Sequence, residues 1–316
     1  MINFRFHVVS IVAVFLSLAL GIMIGSTVVD RAIVASLRSQ IERVEANAEA
    51  QRAENAALSE ELGLKGDYVN ATASFAVSGR LPAVALALIA ESNVSEDNLV
   101  SFIELSRDAG STVGGFLLLT DKWSDDSQVS QLRSAAGVEE RGAKLVRASA
   151  WSAVAQRLAA GVGTSTQEDV LVRLGAAGFI EFKSVGDGGA GAPAFPAEWP
   201  GIGARALYIS APSSGEISPQ SLRVSERVSA LARQGMLTVA SENHVDGDGV
   251  PARGLLLSNV RDDAALRIRI SSVDNFELIE GRVSAVLASA DLARGVNGRY
   301  GYGEGAVAVS PEWWAL

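Results

Sequence analysis

The 316-residue sequence contains no cysteine. Disulfides, thiolate metal sites, iron–sulfur clusters and a cysteine nucleophile are therefore excluded. Histidine is nearly as scarce: His7 and His244 are the two present, and methionine occurs only at Met1, Met23 and Met236. His7 stands at the start of an apolar run, so a Ser-His-Asp arrangement could draw only on His244. Positive charge is short as well. Lys and Arg number 27 against 36 Asp and Glu, the formal net charge is −9, and no basic run stands out. Binding to phosphate backbones needs a basic face, so no nucleic-acid partner is expected. Gly-x-Ser-x-Gly, Gly-Lys-Ser/Thr and His-Glu-x-x-His motifs are all missing. Glu242, His244, Asp246 and Asp248, followed by Gly249, form an oxygen-rich stretch that lacks the closing Glu of a calcium loop and reads as a solvated loop. No enzyme, metal site or cofactor is expected from these residues.

The most distinctive feature present is an uncharged run over residues 8–29, rich in Val, Ile, Leu, Ala and Phe. A helix rises about 1.5 Å per residue and a bilayer core is about 30 Å thick, so the run is long enough to span one. A cleavable signal would have a shorter apolar region ending in a small-x-small site. Residues 1–29 are therefore read as an uncleaved signal-anchor. Arg5 and the amino terminus favour the N-terminus inside, while Arg31 and Arg38 blunt that asymmetry. On that reading the protein sits in the cytoplasmic membrane by a single pass, with lipid as one partner and the C-terminal part extracytoplasmic.

Residues 30–64 carry a heptad pattern. Val34, Ile41, Ala48, Asn55 and Leu62 fall at a; Leu37, Val44, Gln51 and Leu58 fall at d. β-Branched residues at a with Leu at d favour a parallel pair, and one buried Asn fixes its register at a cost in stability. A coiled-coil stalk is expected to make a homodimer through Val34, Leu37, Ile41, Val44, Asn55, Leu58 and Leu62. The rival is a single amphipathic helix lying on its own domain.

Gly63, Gly66 and Gly79 suggest a linker over residues 65–81, and an α/β domain is expected over 82–316. Residues 83–90 (AVALALIA) read as a strand buried on both faces. Ser95 is placed to cap a helix whose apolar face holds Leu99, Phe102, Ile103 and Leu105. Further strands are expected at 112–120, 179–182, 206–210 and 237–240, with helices at 167–176 and 218–234. Residues 281–294 read as either strand or helix. This alternation predicts an α/β fold with a mostly parallel sheet and flanking helices. The Gly-rich stretch 186–193 is an exposed loop, and a seam between two halves is allowed near 186–200.

At the C-terminus Arg299, Tyr300, Gly301, Tyr302, Gly303 and Glu304 interleave aromatics and charges with glycine. Glycine permits tight turns, and tyrosine offers a rigid contact with a polar tip. The segment is a candidate partner-binding surface, or a turn that covers the sheet. Trp313 and Trp314 are either a docking anchor or the end of the fold.

Several tracts together resemble one family: Val9-Ser10, residues 13–16, Leu18-Ala19 and Gly21 to Ser26 in the anchor; Ser36-Leu37-Arg38; Ser272-Val273-Asp274-Asn275; Gly281-Arg282-Val283; and Tyr300 to Ala306. They resemble the actinobacterial copper transport protein B (copper transporter) family, whose corynebacterial members are linked to cell separation. The resemblance runs along the whole chain and is most specific at its two ends. It implies either a copper homeostasis or transport component, or a cell-envelope scaffold working with another membrane protein in wall remodelling. Cu(I) favours thiolate and thioether ligands, which this chain barely offers. Of the two roles that the resemblance implies, the residues therefore favour the dimeric, non-catalytic envelope scaffold or regulator of cell separation, with copper homeostasis as the alternative.

Overall fold

A computed structural model describes residues 4–163, 168–186, 197–210, 219–243 and 254–312, with the side chains of 26–32, 219–223 and 255 left aside. By its internal contacts the chain divides into Met1–Gly66 and Asp67–Leu316.

One helix, α1, runs over Phe4–Val77. Within it, Phe4–Gly25 is long and apolar enough to cross a membrane, with a mean hydropathy of 2.6 and none of it buried. Helix continues through the stalk segment. Val34, Leu37, Ile41, Val44, Leu58 and Leu62 are all at least half exposed there. Asn55 is exposed too. The linker expected at 65–81 is instead helical as far as Val77, because Gly63 and Gly66 have ordinary helical backbone and only Gly79 takes a positive φ, of 70°.

Within Asp67–Leu316 the elements alternate. They are β1 (Leu86–Glu91), α2 (Glu96–Asp108), β2 (Gly115–Leu119), α3 (Val129–Ala136), α4 (Ala143–Ala160), α5 (Val170–Ala176), β3 (Ile180–Ser184), β4 (Arg205–Ser210) and α6 (Pro219–Arg233). β5 (Thr238–Glu242), α7 (Leu255–Asp262), α8 (Ala264–Arg267), β6 (Ile270–Val273), α9 (Ile279–Leu292) and β7 (Arg299–Tyr300) complete the order. The sheet runs β3-β2-β1-β4-β5-β6-β7, parallel except for antiparallel β3. The expected α/β sheet with flanking helices is present.

Strand side chains alternate between faces, and both faces here are covered. Ala87 and Ile89 of β1 join a core with Trp123, Trp151, Leu158 and Val228 under α3 to α6. Leu86, Leu88 and Ala90 join a second core with Phe102, Phe276, Val286 and the α1 residues Ala73 and Val77. That two-sided burial is why β1 reads as an unbroken apolar run.

Some local features differ from expectation, and one open reading is decided. Ser95 occupies the N-cap of α2 but makes no side-chain cap hydrogen bond; Glu96 and Asp97 in the first turn supply the negative charge that a helix start favours. The stretch 281–294, open to either reading, is helical over 281–292 within α9, and Ala293 and Arg294 turn out of it. β6 had no strand expectation, because its Ser271 and Ser272 are polar yet fully buried. The Gly-rich stretch 187–193, most of the seam, His244, Asp246, Asp248, Trp313 and Trp314 lie outside the described residues.

The sheet's two edges are guarded differently. β3 shows Glu181 to solvent, and Lys183 pairs with Glu96. β7 is two residues long, and the chain returns over it: Val307 N donates to Arg299 O at 2.8 Å and Gly301 N to Ala308 O at 3.0 Å.

Candidate functional site

From β1 the chain steps one way to β2; from β4 it steps the other way to β5 and β6. β1 and β4 are neighbours, so their carboxyl ends flank a topological switch point. Open α/β sheets place their ligand crevices there, because the connections leave in opposite directions.

Polar side chains converge at this point. Glu91, the last residue of β1, accepts from the Tyr208 hydroxyl at 3.0 Å, from Arg227 Nη1 at 3.1 Å and from the Ser210 hydroxyl at 3.1 Å. Arg227 Nη1 also reaches the Tyr208 hydroxyl at 3.1 Å. Tyr208 is fully buried, and burial pushes its hydroxyl pKa well up, with Arg227 pulling the other way, so it stays a neutral donor. The Arg227 guanidinium lies 5.5 Å from the Trp123 ring and 5.7 Å from that of Trp151, a cation over two π-faces.

One strand further, Glu242 ends β5 and is 2% exposed. Its carboxylate accepts from Leu256 N at 3.3 Å and Leu257 N at 3.2 Å, at the start of α7. Burial raises its pKa to about 7, against the two backbone donors; the charge of Glu91 raises it further and Arg261 lowers it. A Cβ on Gly254 would overlap the Glu242 carboxylate where it now lies.

Asp274 follows β6 and is held quite differently. Arg261 Nη2 donates to its Oδ2 at 2.9 Å, with both side chains buried. Tyr302 N gives to Oδ1 at 2.7 Å and Gly303 N to Oδ2 at 3.0 Å. Arg261 also donates to Tyr300 O at 2.8 Å, Glu304 O at 2.9 Å and Ser272 Oγ at 3.1 Å. Gly301 has φ 122° and lies against Asp274 so closely that any Cβ would collide with the carboxylate. The loop therefore wraps an anion with backbone N–H groups.

The six C-terminal candidates thus separate. Tyr300 is 7% exposed and packs in the second core, where burial pushes its hydroxyl pKa to about 12. Gly301 and Gly303 line the Asp274 cradle. Arg299 is half-buried in β7, while Tyr302, 46% exposed, and Glu304 face solvent. The segment turns over the sheet end and leaves Tyr302 and Glu304 as its outward surface. Glu91, Tyr208 and Arg227 were absent from the expected set. Their one sequence signal is a Glu closing an otherwise apolar strand.

Among the described residues no group of three or more His, Cys, Asp or Glu is placed to hold a metal. Met236 is 6% exposed inside the first core, and Met23 belongs to the apolar span. Neither is arranged as a soft-metal site.

A family model described as copper transport outer membrane protein, MctB, matches residues 1–311. Relatives named copper transporter MctB from Mycobacterium bovis and Mycobacterium tuberculosis are each 25% identical over 327 aligned positions, covering 98% of this chain and 99% of the relative. The relative of that name from Mycobacterium leprae is 26% identical over 335 positions, with the same coverage.

Proposed function

Because the chain belongs to the MctB family of copper transport proteins, we propose that it serves copper homeostasis as a membrane-anchored, non-catalytic component. The observation that carries this is the length of the match: anchor, long helix and α/β domain align together with proteins named copper transporters. A cell-separation scaffold, the other role that the resemblance implies, finds no echo in those names, so copper homeostasis takes first place.

The chain acts on copper through a partner rather than by carrying Cu(I) in its own domain. Soft Cu(I) wants sulfur, and the described domain offers one methionine, Met236, packed in its core. The N-terminus lies inside and the α/β domain outside the cytoplasmic membrane. Two chains pair in parallel through Val34, Leu37, Ile41, Val44, Asn55, Leu58 and Leu62 of the stalk, which are exposed on the single helix. The outward Tyr302 and Glu304 offer the partner an aromatic contact and a charge.

Deleting the gene should lower copper tolerance, and the full chain should restore it. The purified chain should bind Cu(I) no better than an unrelated acidic protein. Unchanged copper tolerance in the deletion strain would overturn the assignment; a tight stoichiometric Cu(I) site would keep copper but remove the indirect route. If the deletion strain instead formed unseparated cells at normal copper tolerance, the scaffold reading would return.

A further inference from the structure

A hollow of about 440 Å3 opens between α4 and α6, against the first core. Its wall carries Lys144, Arg147, Arg227 and Arg233, one acid, Glu226, and the indoles of Trp123 and Trp151. In a chain of net charge −9 this is a local reversal of sign. Three carboxylates answer it in part. Glu226 lies 3.9 Å from Lys144, Asp126 lies 2.8 Å from Arg147 Nη2 in an ion pair short of hydrogen-bond geometry, and Glu91 holds Arg227.

Among the described residues, two donors at the wall stay unanswered. Arg147 is 6% exposed and spends its Nε on the Trp123 carbonyl at 2.7 Å, while its Nη1 meets no acceptor. The buried Trp123 Nε1 meets none either. Buried donors without acceptors are costly, so acceptor oxygens brought into the hollow gain more than they would in water. Both residues line the hollow, with these nitrogens buried at its wall. Planar guanidinium groups suit a carboxylate better than a point charge does. The indoles and the guanidinium stacked on them suit a flat apolar body. The volume is that of a small-molecule site, which typically runs from about 300 to 1,000 Å3.

We propose that the hollow between α4 and α6 binds a small aromatic carboxylate. Its carboxylate meets Arg147 and Arg233, and its ring lies along the Trp151 side. Arg227 forms the shared wall between this hollow and Glu91 at the switch point, so occupancy is felt at the sheet's carboxyl edge.

The test uses the full chain in phosphatidylcholine nanodiscs, with empty nanodiscs as reference. Phenylacetate, 2-phenylethanol and acetate are titrated at pH 7 and followed by calorimetry. Phenylacetate should bind at least tenfold more tightly than either of the others, and Arg147→Gln should remove that advantage. Because Arg147 is buried, a second variant guards against misfolding: Ala148→Trp fills the hollow from an exposed wall position. It should keep the parent's melting temperature and lose phenylacetate. Equal binding of all three probes, or a phenylacetate advantage that survives Ala148→Trp, would overturn the proposal.

Discussion

Asp274 and Glu242 stand at the carboxyl ends of adjacent parallel strands, both buried, and the molecule treats them in opposite ways. Asp274 receives a guanidinium and two backbone N–H groups, so its charge is matched where it lies. Among the described residues, Glu242 receives two longer backbone donations and the unfavourable field of Glu91. One half of this edge is locked as an ion pair under a fitted loop. The other half, near the switch point, keeps a carboxyl group poised to take or lose a proton near neutrality. Sites that act on ligands tend to be of the second kind, because rigid pairing uses up the groups that binding would need.

The sharpest challenge to that contrast is Gly301→Val. The new side chain would need the volume of the Asp274 carboxylate at a φ that valine avoids, so a loss of about 4 kcal/mol or more is expected from chemical denaturation. A stable, native-like Gly301→Val protein would mean the loop is not fitted to Asp274.

Next comes Arg261→Met. Breaking a buried pair from one side strands the other charge, and typically costs about 3–5 kcal/mol. The double variant with Asp274→Asn should recover part of the loss. No recovery would argue that Arg261 acts chiefly through its bonds to the Tyr300 and Glu304 carbonyls.

Glu242→Gln should act in the other direction. The folded pKa of Glu242 is raised from 4.5 to about 7. Its contribution to stability is therefore fully present below pH 4.5 and is lost as pH rises through about 7. The difference corresponds to at most about 3 kcal/mol. Gln cannot ionise, so at pH 8 the variant should melt higher than the parent, with the gap closing towards pH 4.5. Parallel melting curves across that range would show that Glu242 is not the proton-binding half of the edge.

Tyr302→Ala is the mildest. With nearly half of its surface exposed it should change stability by less than about 0.5 kcal/mol, yet weaken capture of a membrane partner. Equal losses of melting temperature and capture would place Tyr302 with Tyr300 as a packing residue.

Much of this architecture is legible in the residues, and what is not fails for physical reasons. β1 announces itself because burial on both faces forces an apolar run. β6 hides because Ser271 and Ser272 occupy interior positions where Val or Ile would be expected. α4 is obscured by apolar and small residues on several sides and by Arg147, whose guanidinium is buried. The Glu91 cluster joins residues 117 and 136 positions apart, a spacing no local motif can carry. The Gly-Tyr segment was visible as unusual; that its glycines serve Asp274, 29 residues upstream of Gly303, was not.

The two guarded edges of the sheet have a consequence for assembly. An open strand edge is a template on which further strands can grow, from a partner or from another copy. Here one edge presents Glu181 and Lys183, and the other is two residues long and covered by the returning chain. Neither end invites strand addition. Any contact between copies would therefore run through helices and side-chain surfaces rather than through pairing of their sheets.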